Sequence, residues 1–367
     1  MNILLIAGAR PNFMKIAPIY RASLQCSGVD CKIIHTGQHY DHDMSQAFFD
    51  ELGIPEPAYH LETGSGSHAE QTAKIMMAFE NVCKTENPDL VMVVGDVNST
   101  LACSIVAKKL SVEVAHVEAG LRSFDLAMPE EINRMVTDAI SDYFFVTEES
   151  GINNLVREGK PKERIHFVGH IMVDNLLHQL EKLQQDDGKH FASYSLKRQY
   201  KEYAFLTLHR PSNVDSRPTF EQIASALNEI AEERPIFFPV HPRTKKMIDL
   251  LDIRLSERII MLPPLCFTES LFLWKDAEIV LTDSGGLQEE TTALKKPCVT
   301  IRKNTERPVT VELGSNVLAG TSKAGILNAC RTSMEKAKMA ALPPLWDGRA
   351  SVRIWDVLTN CAGRGAS

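Results

Sequence analysis

The chain has 367 residues, of which 44% are hydrophobic and 24% charged, and this predicts a globular protein of two domains because one hydrophobic core rarely organises so many residues. The formal net charge of −7 argues against a broad nucleic-acid-binding surface, so we expect local cationic groups to bind any anionic ligand. There is no N-terminal signal pattern, no apolar run long enough to span a membrane, and no metal-ligand spacing among the eight scattered cysteines, which favours a cytoplasmic protein with reduced thiols.

Short β-branched runs alternate with amphipathic segments along the first half of the chain, which is typical of parallel βαβ units. The predicted strands are Asn2–Ala7, Asp30–His35, Leu90–Val94, Glu113–Val117, Tyr143–Val146 and Ile165–Val168. The helices predicted between them include Asn12–Gln25, His68–Thr85, Ser99–Lys109 and Pro129–Ile140.

The second half of the chain repeats the alternation. Its predicted strands are Tyr203–Leu208, Ile236–Val240, Ile259–Met261, Ile279–Leu281 and Cys298–Ile301. Its predicted helices are Thr219–Glu233, Thr244–Leu251, Thr268–Trp274, Leu287–Leu294 and Gly325–Lys338. The polar stretch 181–195 between the halves predicts the end of a helix followed by a surface loop.

We therefore predict an α/β protein of two doubly wound, Rossmann-like domains, with residues 1–172 in the first and 173–350 in the second. Two such domains that face one another leave a cleft at the carboxyl ends of their strands, and ligands of open sheets bind at that edge. The chemistry is expected there.

A first candidate phosphate-binding turn is GARPNFMK, which follows the first predicted strand and opens a helix. Glycine permits the tight turn, and the start of a helix offers free N–H groups and a positive dipole end. Arg10 and Lys15 add two cationic groups. The turn is neither a Walker loop nor GxGxxG, which disfavours ATP hydrolysis and simple NAD binding. The alternative is an ordinary βα turn with basic side chains facing solvent.

A second candidate turn is TDSGGLQEE, directly after the predicted strand Ile279–Leu281. Ser284, Gly285 and Gly286 can bring backbone N–H groups close to a diphosphate, and Glu290 lies one helical turn further, where a carboxylate can accept hydrogen bonds from a ribose diol. The alternative is a glycine-rich turn without a ligand.

Cationic side chains follow three strands of the second half. His209 and Arg210 close the strand Tyr203–Leu208, and His241 closes the next strand. Arg307, with Arg302, lies after the last predicted strand and can neutralise phosphate. Because all of them follow strand carboxyl ends, we expect them near one ligand, although either histidine alone is also compatible with a structural role.

Three carboxylates lie at loop positions of the first half. Asp96 follows one strand in GDVNST, Glu118 follows the next in HVEAGLRS, and Glu130 opens a helix in MPEEINR. These positions converge on one edge of a parallel sheet, where mutual repulsion can produce an acid and a base at neutral pH. The structural alternatives are an N-cap for Asp96, a first-turn acid for Glu130 and a buried strand end for Glu118. No metal is expected, because no histidine shares the spacing and no DxD occurs.

Together these segments resemble the non-hydrolysing UDP-N-acetylglucosamine 2-epimerase family. The motifs occur in the order and at the spacing of that family, from Asn2 to about Asp356. They are GARPNFMK, TGQHYDHDM, GDVNST, HVEAGLRS, MPEEINR, HRPSN, TDSGGLQEE and TERP.

The resemblance implies a glycosyltransferase-B-like pair of domains, a homodimer, and a final segment 351–367 whose helix crosses back to the first domain. It implies elimination of UDP to a 2-acetamidoglucal and re-addition of UDP, with neither NAD nor metal. Asp96, Glu118 and Glu130 correspond to the acid/base carboxylates, and His209 to the group that assists the departing UDP. Arg10, Lys15 and Ser284 correspond to diphosphate ligands and Glu290 to the ribose ligand, while His39 and Arg122 would line the cleft.

Two further activities agree with the same motifs. The GARP, SHAEQT and HRPSN variants also resemble relatives that act on UDP-2,3-diacetamido uronic acids. A hydrolysing 2-epimerase, which releases UDP and free N-acetylmannosamine, shares the scaffold and differs mainly in the access of water. The expected partner in every case is a UDP-sugar, with neither nucleic acid nor membrane.

Overall fold

The structure, a computed structural model, describes residues 1–37 and 46–362 and divides the chain into two compact units. Unit 1 consists of Met1–Asn175 together with the segment that begins at Pro344, and unit 2 is Leu176–Pro343. Within the described ranges, none of the helices has the length and apolar character needed to cross a bilayer.

Unit 1 is built on a parallel sheet of seven strands in the order β3-β2-β1-β4-β5-β6-β7. The strands are β1 (Asn2–Ala7), β2 (Asp30–His35), β3 (Tyr59–His60), β4 (Leu90–Val94), β5 (Glu113–Val117), β6 (Tyr143–Val146) and β7 (Ile165–Phe167). The helices are α1 (Arg10–Ser23), α2 (Gln46–Leu52), α3 (His68–Glu86), α4 (Asn98–Lys109), α5 (Pro129–Ile140), α6 (Glu149–Arg157) and, across the unit boundary, α7 (Ile171–Gln185).

Unit 2 is built on a parallel sheet of six strands in the order β10-β9-β8-β11-β12-β13. The strands are β8 (Ala204–Thr207), β9 (Ile236–Pro239), β10 (Ile259–Leu262), β11 (Ile279–Thr282), β12 (Cys298–Thr300) and β13 (Asn316–Leu318). The helices are α8 (Tyr194–Gln199), α9 (Pro211–Val214), α10 (Arg217–Glu233), α11 (Pro242–Leu250), α12 (Phe267–Trp274), α13 (Gly285–Ala293), α14 (Pro308–Glu312) and α15 (Lys323–Met339). The final helix α16 (Ala350–Ala362) belongs to unit 1.

The predicted class, two Rossmann-like α/β domains with parallel sheets, is confirmed. The central strands are buried on both faces because helices cover both sides of a parallel sheet, which explains why they read as continuous apolar runs. All five residues of β4 are buried, as are all four residues of β6.

The direction of winding reverses once in each sheet. In unit 1 the reversal lies between β1 and β4, and in unit 2 between β8 and β11. Loops that leave neighbouring strands at such a point run to opposite faces of the sheet, so a crevice opens at the carboxyl edge. This topology determines where ligands have access in each unit.

Several predicted boundaries shift in ways that matter for the site. Helix α1 begins at Arg10 and not at Asn12, because Pro11 has a backbone angle already suited to the first turn. Helix α13 begins at Gly285, which places both glycines in its first turn.

Several short elements were absent from the sequence prediction, among them β3, β13, α8, α9 and α14. The edge strands β3 and β13 have two and three residues, too few to show a periodic pattern. In the segment 181–195, α7 ends at Gln185 as expected, but the predicted surface loop gives way to the short helix α8 from Tyr194.

The C-terminal segment packs within unit 1. Trp355 of α16 is 2% exposed, and its indole N–H donates to the carbonyl of Ile19 in α1 at 2.8 Å. Asp174 is also buried and accepts hydrogen bonds from the backbone N–H groups of Ala350 and Ser351, where α16 begins. An acidic side chain at a helix N-terminus satisfies free N–H groups, so these contacts anchor α16 to unit 1.

Candidate active site

The turn after β1 is held by the side chain of Asn12. Its Oδ1 accepts from the backbone N–H groups of Gly8 at 3.2 Å and Ala9 at 3.0 Å, and its Nδ2 donates to the carbonyl of Val94 at 3.4 Å. Asn12 is 3% exposed. One buried amide therefore fixes the first turn of α1 against the end of β4, on both sides of the winding reversal of unit 1.

Lys15 pairs with Glu118. Its Nζ lies 2.5 Å from Oε2 of Glu118, and the glutamate side chain is only 6% exposed. Gly95, with a φ of +68°, lies against this pair, since a Cβ placed there would be 3.1 Å from Lys15 Nζ. The predicted diphosphate ligand Lys15 thus also neutralises a predicted acid/base carboxylate within unit 1.

Glu118 has an unusual backbone for its residue type. Its φ is +70°, in the left-handed region that non-glycine residues seldom adopt. Its N–H and the N–H of Ala119 both donate to the carbonyl of Phe145 on the neighbouring strand. Such backbone strain concentrates at functional sites, where the surrounding structure compensates for it.

Asp96 is bound to α5 through both its side chain and its backbone. Arg134 Nη1 lies 2.5 Å from Asp96 Oδ2, and Asn133 Nδ2 donates to the Asp96 carbonyl at 2.8 Å. The carboxylate keeps 34% of its surface exposed. Gly95, in the same loop as Asp96, also lies against the Lys15–Glu118 pair. The loops that carry Asp96 and Glu118 are therefore neighbours in unit 1.

The two adjacent acids at the start of α5 have different surroundings. Glu130 is exposed, and no described residue forms a hydrogen bond or an ion pair with its carboxylate. Glu131 is 1% exposed and accepts from the N–H groups of Ser123 and Phe124, both at 2.9 Å, and from Arg134. Glu131 therefore holds the preceding loop, while Glu130 is free to meet a ligand.

A fully buried ionic network lies beneath these loops. His116 Nδ1 is 2.6 Å from Asp138 Oδ1, and His116 Nε2 is 2.9 Å from the Gly95 carbonyl. Both nitrogens face acceptors, so the imidazolium form, which carries two N–H groups, satisfies both contacts. Burial raises the pKa of Asp138, but the charges and hydrogen bonds of His116 and Arg122 outweigh burial and lower that pKa below 3.8. The network connects the loops after β4 and β5.

Arg122 belongs to this network. Its side chain is 2% exposed, and Nη2 lies 2.7 Å from both Asp138 Oδ2 and Glu158 Oε2. These contacts indicate a structural role, so its part in lining a ligand site remains a prediction.

Arg10 is the first residue of α1, and its guanidinium lies 5.0 Å from the centre of the Phe48 ring. His39 lies outside the described residues.

In unit 2 one buried carboxylate connects the loops at the winding reversal of the sheet. Asp283 follows β11, is 0% exposed, and accepts from the backbone N–H groups of His209 and Arg210 and from Asn213 Nδ2. His209 Nδ1 lies 2.9 Å from Asp283 Oδ1. The loops after β8 and β11, on both sides of the winding reversal, are therefore joined by this aspartate.

A cavity of about 310 Å³ opens beside these loops in unit 2. Its polar lining includes His209, His241, Ser284 and Glu290, and its apolar lining includes Pro264 and Leu265. Ser284 is the N-cap of α13, but its hydroxyl makes no capping hydrogen bond. Gly285 and Gly286 form the first turn, and a Cβ on Gly285 would meet nothing within 4 Å. The start of α13 thus offers N–H groups and a hydroxyl to a ligand.

Glu290 lies in the same cavity with an unusual acidity. Burial, and secondarily repulsion by Glu289, raise its pKa from 4.5 to about 8. The carboxyl is therefore mostly protonated at neutral pH. Glu289 itself is paired with Arg307, at 2.6 Å between Oε1 and Nε. The predicted phosphate ligand Arg307 is consequently engaged beside the cavity.

Arg210 and His241, two more of the predicted cationic side chains of unit 2, also have partners. Arg210 donates from Nε to the Asp283 carbonyl at 3.0 Å and lies 3.8 Å from Glu306. His241 is the N-cap of α11 and accepts from the N–H of Arg243 at 3.2 Å. Burial, followed by repulsion from His209 and Arg243, lowers the pKa of His241. A mainly neutral imidazole therefore lines the cavity.

The sequence interpretation missed the buried partners of the site. His116, Asp138, Glu131 and Arg134 have no role in it, and Asp283 appears only as part of a turn motif. The position of Asp283 directly after an apolar strand was the one signal for it in the sequence. The hydrogen bonds that Asp283 accepts come from the distant segment 209–213, which the sequence pattern does not connect to it. Across the described ranges, no group of three or more His, Cys, Asp or Glu side chains is arranged to hold a metal ion.

Comparison with known proteins relates this geometry to a family. The family model for UDP-N-acetylglucosamine 2-epimerase matches residues 22–359. The chain belongs to the UDP-N-acetylglucosamine 2-epimerase family. The resemblance carried by the sequence motifs is thereby confirmed.

Relatives in this family match the chain over nearly its whole length. A UDP-N-acetylglucosamine 2-epimerase of Methanocaldococcus jannaschii is 44% identical over 367 residues, covering 98% of this chain and 99% of the relative. A UDP-2,3-diacetamido-2,3-dideoxy-D-glucuronate 2-epimerase of Pseudomonas aeruginosa is 40% identical over 363 residues, covering 98% and 100%.

Solved structures of the family agree with the fold. The crystal structure of the M. jannaschii UDP-GlcNAc 2-epimerase in complex with UDP-GlcNAc and UDP has a TM-score of 0.84 and 42% identity, with 98% of this chain and 100% of that chain covered. The Neisseria meningitidis UDP-GlcNAc 2-epimerase bound to UDP-GlcNAc has a TM-score of 0.85 and 28% identity, again covering 98% and 100%. The glycosyltransferase-B-like class is that of these epimerases.

The raised pKa of Glu290 predicts a pH-dependent stability. Between its ordinary pKa of 4.5 and about 8, the unfolded chain releases the proton while the folded chain retains it, so the free energy of unfolding falls as pH rises through that range. Glu290→Gln mimics the neutral carboxyl and is expected to flatten this slope. Urea denaturation at several pH values measures the change in the free energy of unfolding with pH.

The control for this test is Glu312→Gln, which removes an exposed carboxylate in unit 2 and should leave the slope unchanged. An identical slope in the wild type and in Glu290→Gln would show that Glu290 is ionised in the folded chain.

Proposed function

We propose that the chain is a UDP-N-acetylglucosamine 2-epimerase, which interconverts UDP-N-acetylglucosamine and UDP-N-acetylmannosamine. Membership of the family and the 44% identity with the M. jannaschii epimerase support this function. Two features carry this proposal. Unit 1 contains a cluster of carboxylates, and unit 2 contains a cavity beside the N-terminus of α13. Neither part alone would be sufficient.

The reaction requires both phosphate-binding donors and carboxylates, for a physical reason. The hydrogen on C2 of the sugar is not acidic, so a base cannot remove it unless the C1–O bond is already breaking and positive charge builds at C1. Cationic and N–H donors on the diphosphate promote that departure because they stabilise the negative charge that UDP gains. In the proposal, Ser284, the first turn of α13 and His209 supply these donors, with Arg10, Lys15 and Arg307 as further cationic groups.

The carboxylates then handle the protons. Asp96, Glu118 and Glu130 stabilise the charge at C1 and accept the C2 proton, which leaves a C1=C2 double bond in a 2-acetamidoglucal. Return of a proton to the opposite face of C2 and re-addition of UDP at C1 give the epimer. Two carboxylates in different surroundings suit an acid and a base, and Glu118 is buried and paired with Lys15 while Glu130 is exposed.

A second candidate is epimerisation of a UDP-2,3-diacetamido uronic acid. The 40% identity with the P. aeruginosa enzyme over nearly the full chain favours it. The mechanism is the same, because the reacting atoms C1 and C2 are unchanged, and only the substituents at C3 and C5 differ.

An exchange experiment tests the function directly. The protein is incubated in deuterated water with UDP-N-acetylglucosamine or with the diacetamido uronate, and C2 is followed by NMR. We expect deuterium at C2 and a second epimer with one of the two sugars. Release of free N-acetylmannosamine would indicate the hydrolysing reaction, and unlabelled C2 with both sugars would contradict the proposal.

The adjacent acids of α5 provide a matched pair of variants. Glu130→Gln removes an exposed carboxylate and should lower kcat by about a hundredfold or more, the range of acid/base groups, without loss of stability. Glu131→Gln removes a buried acceptor of two backbone N–H groups and Arg134, so it should lower the free energy of unfolding. Asp96→Asn and Glu118→Gln are expected to follow Glu130→Gln in kcat.

Turnover and urea denaturation of the same protein preparations separate the two effects. A Glu130→Gln variant with wild-type kcat would remove Glu130 from the mechanism. A Glu131→Gln variant that is stable but inactive would reverse the roles assigned to the two neighbours.

We also propose a cytoplasmic homodimer. The family resemblance supports the dimer, as do large apolar side chains that are exposed in the single chain, notably Phe124 at 72% and Leu126 at 65%. Sedimentation equilibrium is expected to give twice the mass of one chain, and the mass of a single chain at micromolar concentration would contradict the dimer.

A further inference from the structure

We propose that Asp283 is a positioning residue for the reaction: from the interior of unit 2 it orients His209 and fixes its Nδ1–H, so that Nε2 is presented to the diphosphate of the sugar nucleotide. The inference rests on the proposed function and assigns one more residue, Asp283, a role in the reaction. It is carried by the contacts of one fully buried carboxylate.

The first step is the number and origin of those contacts. Asp283 is 0% exposed and accepts from the backbone N–H of His209, from that of Arg210 at 2.8 Å, and from Asn213 Nδ2 at 3.1 Å. The same carboxylate meets the His209 ring at 2.9 Å. Main chain and side chain of His209 are therefore held by one group, which leaves the ring little freedom to turn.

The second step is the position of the hydrogens on the ring. An ionised carboxylate only accepts hydrogen bonds, so His209 Nδ1 must carry a hydrogen when it faces Asp283. The remaining nitrogen, Nε2, belongs to a side chain that is 43% exposed and lines the cavity shared with Ser284 and Glu290. Asp283 thus determines which nitrogen a ligand meets.

The third step is the charge. When the C1–O bond breaks, the leaving diphosphate gains negative charge, and a protonated His209 beside it would stabilise that charge. Asp283 is suited to support the cation. Burial raises its pKa, but the hydrogen bond and charge of His209 and the N–H groups of residues 209 and 210 outweigh burial and lower that pKa. The carboxylate is therefore ionised at neutral pH.

The other charged groups around His209 act in different directions. The His241 ring lies 6.1 Å away between ring centres, and Arg210 follows His209 in the same loop, so both oppose a positive charge on His209 when they are cationic. Glu290 lines the same cavity in mostly neutral form. Among the described residues, Asp283 is consequently the principal negative charge in contact with the His209 ring.

A double-mutant cycle tests the coupling. Asp283→Asn and His209→Asn are made singly and together, and kcat is measured with the sugar nucleotide that the wild type turns over. We expect Asp283→Asn to lower kcat on the order of a hundredfold with a much smaller change in KM. We expect the double variant to be no slower than His209→Asn alone, because Asp283 acts through His209. Multiplicative losses, or wild-type kcat in Asp283→Asn, would overturn the proposal.

Asp174→Asn is the matched control. Asp174 is also buried and also accepts from two backbone N–H groups, those of Ala350 and Ser351, but it has no histidine partner in those contacts. It should lower the free energy of unfolding without lowering kcat. Asp283→Asn, by contrast, should lower kcat far more than it changes KM, in protein that urea denaturation shows to be folded. Equal losses of kcat in the two variants would indicate a structural role only.

A nitrogen NMR experiment on the wild type does not depend on activity or on the folding of a variant. With ¹⁵N-labelled histidine, the neutral His209 ring should carry its hydrogen on Nδ1, and hydrogen on Nε2 would overturn the proposal. If the wild type failed to exchange C2 hydrogen while this spectrum was as expected, the proposed function would fail and the Asp283–His209 pairing would stand.

Discussion

A buried polar side chain connects the two diverging loops at the winding reversal of each sheet, and the candidate site depends on this constraint. The reversal that opens a crevice for a ligand also separates loops that would otherwise hydrogen-bond to one another. In unit 1 the connection is made by Asn12, supported below by His116 and Asp138, and in unit 2 by Asp283. Each connection contacts backbone groups directly beside a residue with a proposed chemical role.

These connections are built from groups that are costly to bury unless all their partners are present. Removal of one partner from a buried ion pair destabilises a protein by about 3–5 kcal/mol, because the remaining charge is left unpaired. His116, Asp138 and Arg122 form such a set, with accessible surfaces of 0–2%. A scaffold of this kind holds loops rigidly, and it makes residues without any ligand contact as sensitive to substitution as those that would touch the substrate.

The fold and the edge of the site could be predicted from the sequence because both depend on local patterns. Buried parallel strands read as apolar runs, and Asp96, Glu118 and His209 each lie within two residues of the end of such a strand. The partners could not be predicted, because the contact of Asp96 with Arg134 joins residues 38 positions apart and that of Asp283 with His209 joins residues 74 apart. Adjacent residues such as Glu130 and Glu131 look alike in sequence, and only tertiary packing separates an exposed acid from a buried one.

The left-handed backbone of Glu118 sets a limit on how stable this protein can become. A side chain in that region costs roughly 1–2 kcal/mol that glycine would not incur. A sequence optimised for stability alone would therefore place glycine at position 118, and the carboxylate beside Lys15 would disappear with the strain. Among the described residues with positive φ, Glu118 is the one with a proposed catalytic role, so thermostabilisation by glycine substitution would have to leave it unchanged.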